Sequence, residues 1–98
     1  MSVYLIFTRE KTLDEHELSL YSQGAAATLA GHEFKVLSLY GAHQDLEGGP
    51  TEGTVIMEFP DEQGAMLWYD SPGYQEVRQH RFKGARYRVT LVHGSENG

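Results

Sequence analysis

The spacing of apolar and polar positions changes several times along this chain, and each change predicts an element. Val3-Tyr4-Leu5-Ile6-Phe7, followed by Thr8, is a short β-rich run that reads as a strand. Leu18, Tyr21, Ala25 and Leu29 then recur at intervals of three and four, the single apolar stripe of a helix. Thr12 and Glu15 stand where a reciprocal capping box would open that helix, and Gly31 where a left-handed residue would close it. Phe34 to Tyr40, carrying Val36 and Leu37, predicts a second strand. Gly41 to Gly53, centred on Gly48-Gly49-Pro50, predicts a long turn-rich connection. Thr54 to Phe59 is the clearest strand, and Pro60 stops it. Asp61 is placed to cap a helix bearing Ala65, Met66, Trp68 and Tyr69. Ser71-Pro72 caps the chain again, hydroxyl at N-cap and proline at N1, and opens a last helical segment towards Arg81. From Tyr87 to His93, Tyr87, Val89 and Leu91 alternate with Arg88, Thr90 and Val92, a fourth strand, and Gly94 to Gly98 reads as a flexible polar tail.

The order β-α-β-β-α-β is the ferredoxin-like α+β plan: one domain over residues 1–98, a four-stranded antiparallel sheet with helices on one face. Its other face must be wet or covered. Alternation puts Val3, Leu5, Phe7, Val55, Met57 and Phe59 on one side, yet Tyr4, Ile6 and Ile56 on the other are also apolar. A lone subunit would leave one such face as an exposed patch, so the pattern predicts a homodimer in which two sheets pack face to face.

Composition narrows the chemistry. At 98 residues, with 40% hydrophobic and 22% charged side chains, the chain has the make-up of an ordinary globular domain. A net charge of −6 is the wrong sign for a nucleic-acid or anionic-membrane partner. The absence of cysteine removes thiolate nucleophiles, iron–sulfur clusters and cysteine zinc sites. Only five apolar residues run together at the N-terminus, too few for a signal peptide or membrane span, so a cytoplasmic protein is expected. Charge is segregated: the first 77 residues hold three basic and thirteen acidic side chains, the last 21 five and one.

Ile56-Met57-Glu58-Phe59-Pro60, Ala65 and Trp68-Tyr69-Asp70-Ser71-Pro72-Gly73-Tyr74-Gln75 together resemble the signature of the domain-of-unknown-function family 1330, within the dimeric α+β barrel superfamily. Tyr21, Gly31, Glu47-Gly48, Arg81 and Leu91-Val92-His93-Gly94 extend the resemblance along nearly the whole chain. It implies a ferredoxin-like subunit and a barrel formed by two sheets. It implies no single reaction, because the superfamily spans cofactor-free monooxygenases, muconolactone isomerase-like enzymes and haem-binding proteins.

Candidate chemistry rests on few side chains. Glu58, in an apolar strand, could act as a general base or acid, or could form an ion pair with Arg81 or Arg86. Tyr21, Trp68, Tyr69 and Tyr74 could line an aromatic pocket between helices and sheet, with Glu58 and Arg81 as catalytic groups acting on a small organic acid or aromatic ligand. Trp68 is equally a core anchor, and Ser71 is explained as a cap, since no Gly-x-Ser-x-Gly elbow surrounds it. His16, His32, His43, His80 and His93 show no i, i+4 pairing, so no metal site is expected beyond a long-range pair such as His80 and His93. Arg78, Arg81, Lys83, Arg86 and Arg88 could hold a carboxylate or phosphate, or pair with the acidic surface. Without a Gly-rich phosphate loop, no nucleotide cofactor is expected. A non-catalytic dimeric accessory module is the competing reading.

Overall fold

Period-2 alternation in the first strand sets the layout. In the computed structural model, which describes residues 1–95, β1 spans Val3–Thr12, and Val3, Leu5 and Phe7 are buried while Tyr4 and Ile6 are only half-buried. The chain continues through α1 (Glu15–Ala25), a 3-10 turn (Ala26–Leu29), β2 (Lys35–Leu39), β3 (Gly53–Phe59), α2 (Glu62–Tyr69), α3 (Pro72–Gly84) and β4 (Ala85–His93). The sheet order is β2-β3-β1-β4, with every neighbouring pair antiparallel, as the ferredoxin-like plan requires. Register pairs Leu5 with Met57 and Leu91, and Ile6 with Ile56 and Thr90, so each face keeps its own residue set across the sheet.

One face carries the core. Val3, Leu5, Phe7, Val55, Met57 and Phe59 meet Ala65, Trp68 and Tyr74 from the helices. Trp68 is the centre: it stacks on Phe59 with ring centroids 5.8 Å apart and lies 4.2 Å from Tyr74. Its indole N–H donates to Thr28 Oγ1 at 2.9 Å, which satisfies the one polar atom such a ring buries. No helix among the described residues covers the opposite face, where Tyr4, Ile6, Thr54, Ile56 and Glu58 stand half-buried.

Element ends follow local chemistry and differ from expectation in places. β1 runs on to Thr12 past a bulge between Arg9 and Lys11, so Thr12 spends its hydroxyl on Glu52, 2.6 Å away, and caps nothing. Asp14 is the N-cap of α1, accepting from the N–H groups of His16 and Glu17. Asp61 and Ser71 cap α2 and α3 as expected, accepting from Gly64 and Tyr74. Gly31 takes the left-handed conformation at φ +84°, two residues beyond the 3-10 turn that ends the helical segment. α3 extends past Arg81 to Gly84, whose carbonyl accepts from Leu13 and Asp14 at 2.8 and 2.9 Å. A Cβ on Gly84 would lie 2.8 Å from the Leu18 backbone nitrogen, so only glycine allows α1 and α3 this approach. β4 begins at Ala85, two residues before the alternating run. β2 carries a bulge between Val36 and Ser38. Gly94 donates to the Ser2 carbonyl at 2.8 Å, and residues 96–98 of the expected tail lie outside the described residues. No helix among the described residues is long and apolar enough to cross a membrane.

Candidate functional site

Between α1 and its 3-10 turn on one side and β2 and β3 on the other lies a cavity of about 390 Å³. Phe7, Val55 and Met57 line it from the sheet, Val36 and Leu39 from β2, and Tyr21, Ala25 and Leu29 from the helical layer. Ala26, Trp68, Tyr40 and Tyr87 complete the lining, and Ser22 adds a hydroxyl. The β2 bulge is why Val36 and Leu39, three apart in sequence, share this face: they pair with Met57 and Val55.

Polar groups gather around this apolar chamber as two tyrosine pairs. The hydroxyls of Tyr21 and Tyr74 are 2.6 Å apart, as are those of Tyr40 and Tyr87. Burial holds the Tyr21 phenol well above the usual range, and the neighbouring Tyr74 oxygen adds to the shift. Tyr40 is raised by burial and by its bond to Tyr87, and Tyr74 is raised by burial, partly offset by Tyr21 and Arg81. These phenols stay protonated and serve as hydrogen-bond donors. Tyr40 adopts φ +52°, a left-handed conformation uncommon outside glycine, at the end of β2. It is held there by Arg9, whose guanidinium carbon lies 4.8 Å over the ring and whose Nε reaches Glu52 at 3.2 Å. A Cβ at Gly53 would meet the Tyr40 ring at 2.6 Å, so that glycine makes the room.

Arg81 is the one charged side chain buried in the described residues, 3% exposed. Its guanidinium lies 5.8 Å from the rings of Phe7 and Tyr21 and 5.2 Å from Phe82 and Tyr87. Burial works against its charge, but the phenol oxygens of Tyr74, Tyr21 and Tyr69 outweigh that, and its pKa is raised. No carboxylate among the described residues pairs with it, and Nε and Nη2 have no hydrogen-bond partner.

The expected site residues divide. Tyr21 and Trp68 line the cavity, Trp68 while also anchoring the core. Tyr74, fully buried, does not line it but touches two residues that do, bonding the Tyr21 hydroxyl and packing on Trp68, and Tyr69 packs behind, under the Arg78 guanidinium at 4.7 Å. Glu58 does not join them. It pairs in register with Tyr4 and Lys35 on the open face, while Arg81 lies on the helix-covered face, so the expected Glu58–Arg81 ion pair and shared pocket do not form. Strand parity is the cause, since Glu58 shares its side with Ile56 and Thr54. Arg86 pairs with Glu10 instead, at 3.9 Å. His80 and His93 each hydrogen-bond a different carboxylate, Glu17 and Glu62, and no group of three metal-ligating side chains occurs among the described residues. Sequence reasoning missed Tyr40 and Tyr87. Tyr87 shares the parity of Val89 and Leu91, which pointed inward, whereas the backbone of Tyr40 carried no such signal.

The family model described as Domain of unknown function (DUF1330) matches residues 2–95. The chain belongs to this family. No curated protein matches the sequence. The DUF1330 fold is similar to that of RPA0582, a protein of unknown function from Rhodopseudomonas palustris, at TM-score 0.74 and 15% identity, covering 97% of this chain and 83% of that one. A dimeric ferredoxin-like protein of unknown function from Jannaschia sp. CCS1 gives TM-score 0.65 and 17% identity, covering 96% and 100%. SnoaB, a cofactor-independent oxygenase from Streptomyces nogalater, gives 0.62 and 10%, covering 97% and 94%. At these identities the likeness concerns the fold.

Proposed function

We propose that this DUF1330 domain binds a small, flat, largely apolar organic molecule in the cavity between α1 and the sheet. The observation that carries the reading is the cavity itself: about 390 Å³, within the range of small-molecule sites, lined by aliphatic and aromatic side chains with tyrosine hydroxyls among them. No carboxylate among the described residues lines it, so proton transfer there would fall to tyrosine hydroxyls; this favours binding over carboxylate acid–base chemistry. The cofactor-independent oxygenase SnoaB is a neighbour in fold, and oxidation of a bound aromatic is the enzymatic extension of the same reading. Trp68, the only tryptophan, lines the cavity and supplies the test. Titration with naphthalene-sized aromatics should change its fluorescence saturably, and Ala26→Phe, at the cavity wall, should abolish the response while the fold persists. No response to any member of such a panel, with no thermal shift, overturns the reading.

The second part of the proposal is assembly. Tyr4, Ile6 and Ile56 form an apolar strip across adjacent strands on the uncovered sheet face, which supports a homodimer closed through those faces. The description of the Jannaschia neighbour as dimeric supports it too. A cytoplasmic location fits a chain without cysteine and is checked by cell fractionation.

A further inference from the structure

Arg81 poses a problem that the fold does not solve. A buried guanidinium is costly unless its charge and its N–H donors are both met. The surrounding rings of Phe7, Tyr21, Phe82 and Tyr87 compensate charge, but a π-face is at best a weak acceptor of N–H groups, and among the described residues Nε and Nη2 have no hydrogen-bond acceptor. The Tyr21–Tyr74 pair sharpens the imbalance in the core, and the Tyr40–Tyr87 pair adds a spare O–H at the exposed rim of the cavity. Within each pair one hydroxyl donates to the other, so one O–H per pair remains free to donate elsewhere. Phe7, Tyr21 and Tyr87 are at once the neighbours of the guanidinium and members of the cavity lining. Arg81 itself is not part of the lining but sits behind the wall these rings form, so one end of an otherwise apolar chamber presents tyrosine O–H donors backed by a buried positive charge, with no carboxylate among the described residues to meet them.

We propose that the ligand of this cavity is an aromatic carboxylate, its ring against the apolar lining and its oxygens at the Arg81 end, accepting from the spare tyrosine hydroxyls. This rests on the binding role proposed above and names its ligand class. A carboxylate offers several lone-pair positions and one negative charge, which answers the donor excess and the buried cation together. A dimer partner would not supply it, because the open face and Arg81 lie on opposite sides of the sheet.

The test compares 2-naphthoate with 2-naphthamide, a neutral near-isostere, by Trp68 fluorescence and calorimetry on the full chain at pH 7. The expected result is at least about tenfold tighter binding of the carboxylate, the least expected when one charge-assisted contact separates two ligands. Arg81→Gln should erase that preference, the two probes then binding within twofold of each other, and Arg81→Lys should restore part of it. Equal affinity of the two probes for the wild-type chain overturns the carboxylate assignment and leaves the pocket intact; it needs no variant, so it stands even if Arg81→Gln does not fold. A preference that survives in folded Arg81→Gln also overturns it. Binding of neither probe, nor of any aromatic in the panel, removes the pocket reading and this one with it.

Discussion

Single hydroxyls carry an unusual share of the buried polar balance. Removing the Tyr74 oxygen by Tyr74→Phe strands the Tyr21 hydroxyl in a buried site and should cost about 1–3 kcal/mol in urea denaturation. The same phenols make stability depend on alkaline pH. Tyr21, Tyr40 and Tyr74 are held above the ordinary value of 10.0, so the folded state retains protons that the unfolded state releases. Their contribution is complete below the normal phenol range and is lost as pH rises beyond it. An absorbance titration should show at least three of the six tyrosines ionising only as the protein unfolds. Independent, unlinked titration of these phenols within the native baseline would contradict the buried Tyr21–Tyr74 pair and the bonded Tyr40–Tyr87 pair. Little of this was legible in the sequence. Tyr21 and Tyr74 stood out by stripe and motif, but that their oxygens meet across 53 residues is a fact of α1–α3 packing, which no local pattern encodes.

Elements, by contrast, were written plainly wherever one local rule governed. Ser71-Pro72 and Asp61 cap as read, because side chain, backbone and proline agree within four residues. Thr12 misled because two rules competed: a capping-box spacing and a strand pairing that continues to Ala85, and the ladder prevailed. The distinction is measurable. Asp14→Ala should destabilise the fold by about 1 kcal/mol in chemical denaturation, with Thr12→Ala costing less, since its bond to Glu52 is exposed. A larger loss from Thr12→Ala would restore the capping box. Gly84→Ala is the harsher change, expected to cost about 1–3 kcal/mol, because its new methyl meets backbone that cannot swing aside.

At the scale of the whole molecule, the sheet divides labour between its faces. One holds Trp68 and the cavity; the other holds Tyr4, Ile6, Ile56 and Glu58. Glu58→Gln should therefore leave 2-naphthoate affinity unchanged within twofold. Ile6→Glu, which sets a charge at the centre of the apolar strip, should shift sedimentation velocity from dimer to monomer with the circular dichroism spectrum retained. Wild-type chain that sediments as a monomer at micromolar concentration would exclude the face-to-face pair. The fold plan and the oiliness of both faces were readable from strand parity alone. Which face receives the helices was not, because alternation marks two sides without saying which one the crossovers will cover.

The interruption in β2 has a bearing on how far association can go. A five-residue border strand broken after Val36 is twisted out of the flat line that an added strand would need as a template. Growth sideways into a continuous ribbon is thus discouraged at that margin. In the proposed dimer, self-recognition would use the broad side of the sheet instead, where one partner copy covers the apolar strip of Tyr4, Ile6 and Ile56.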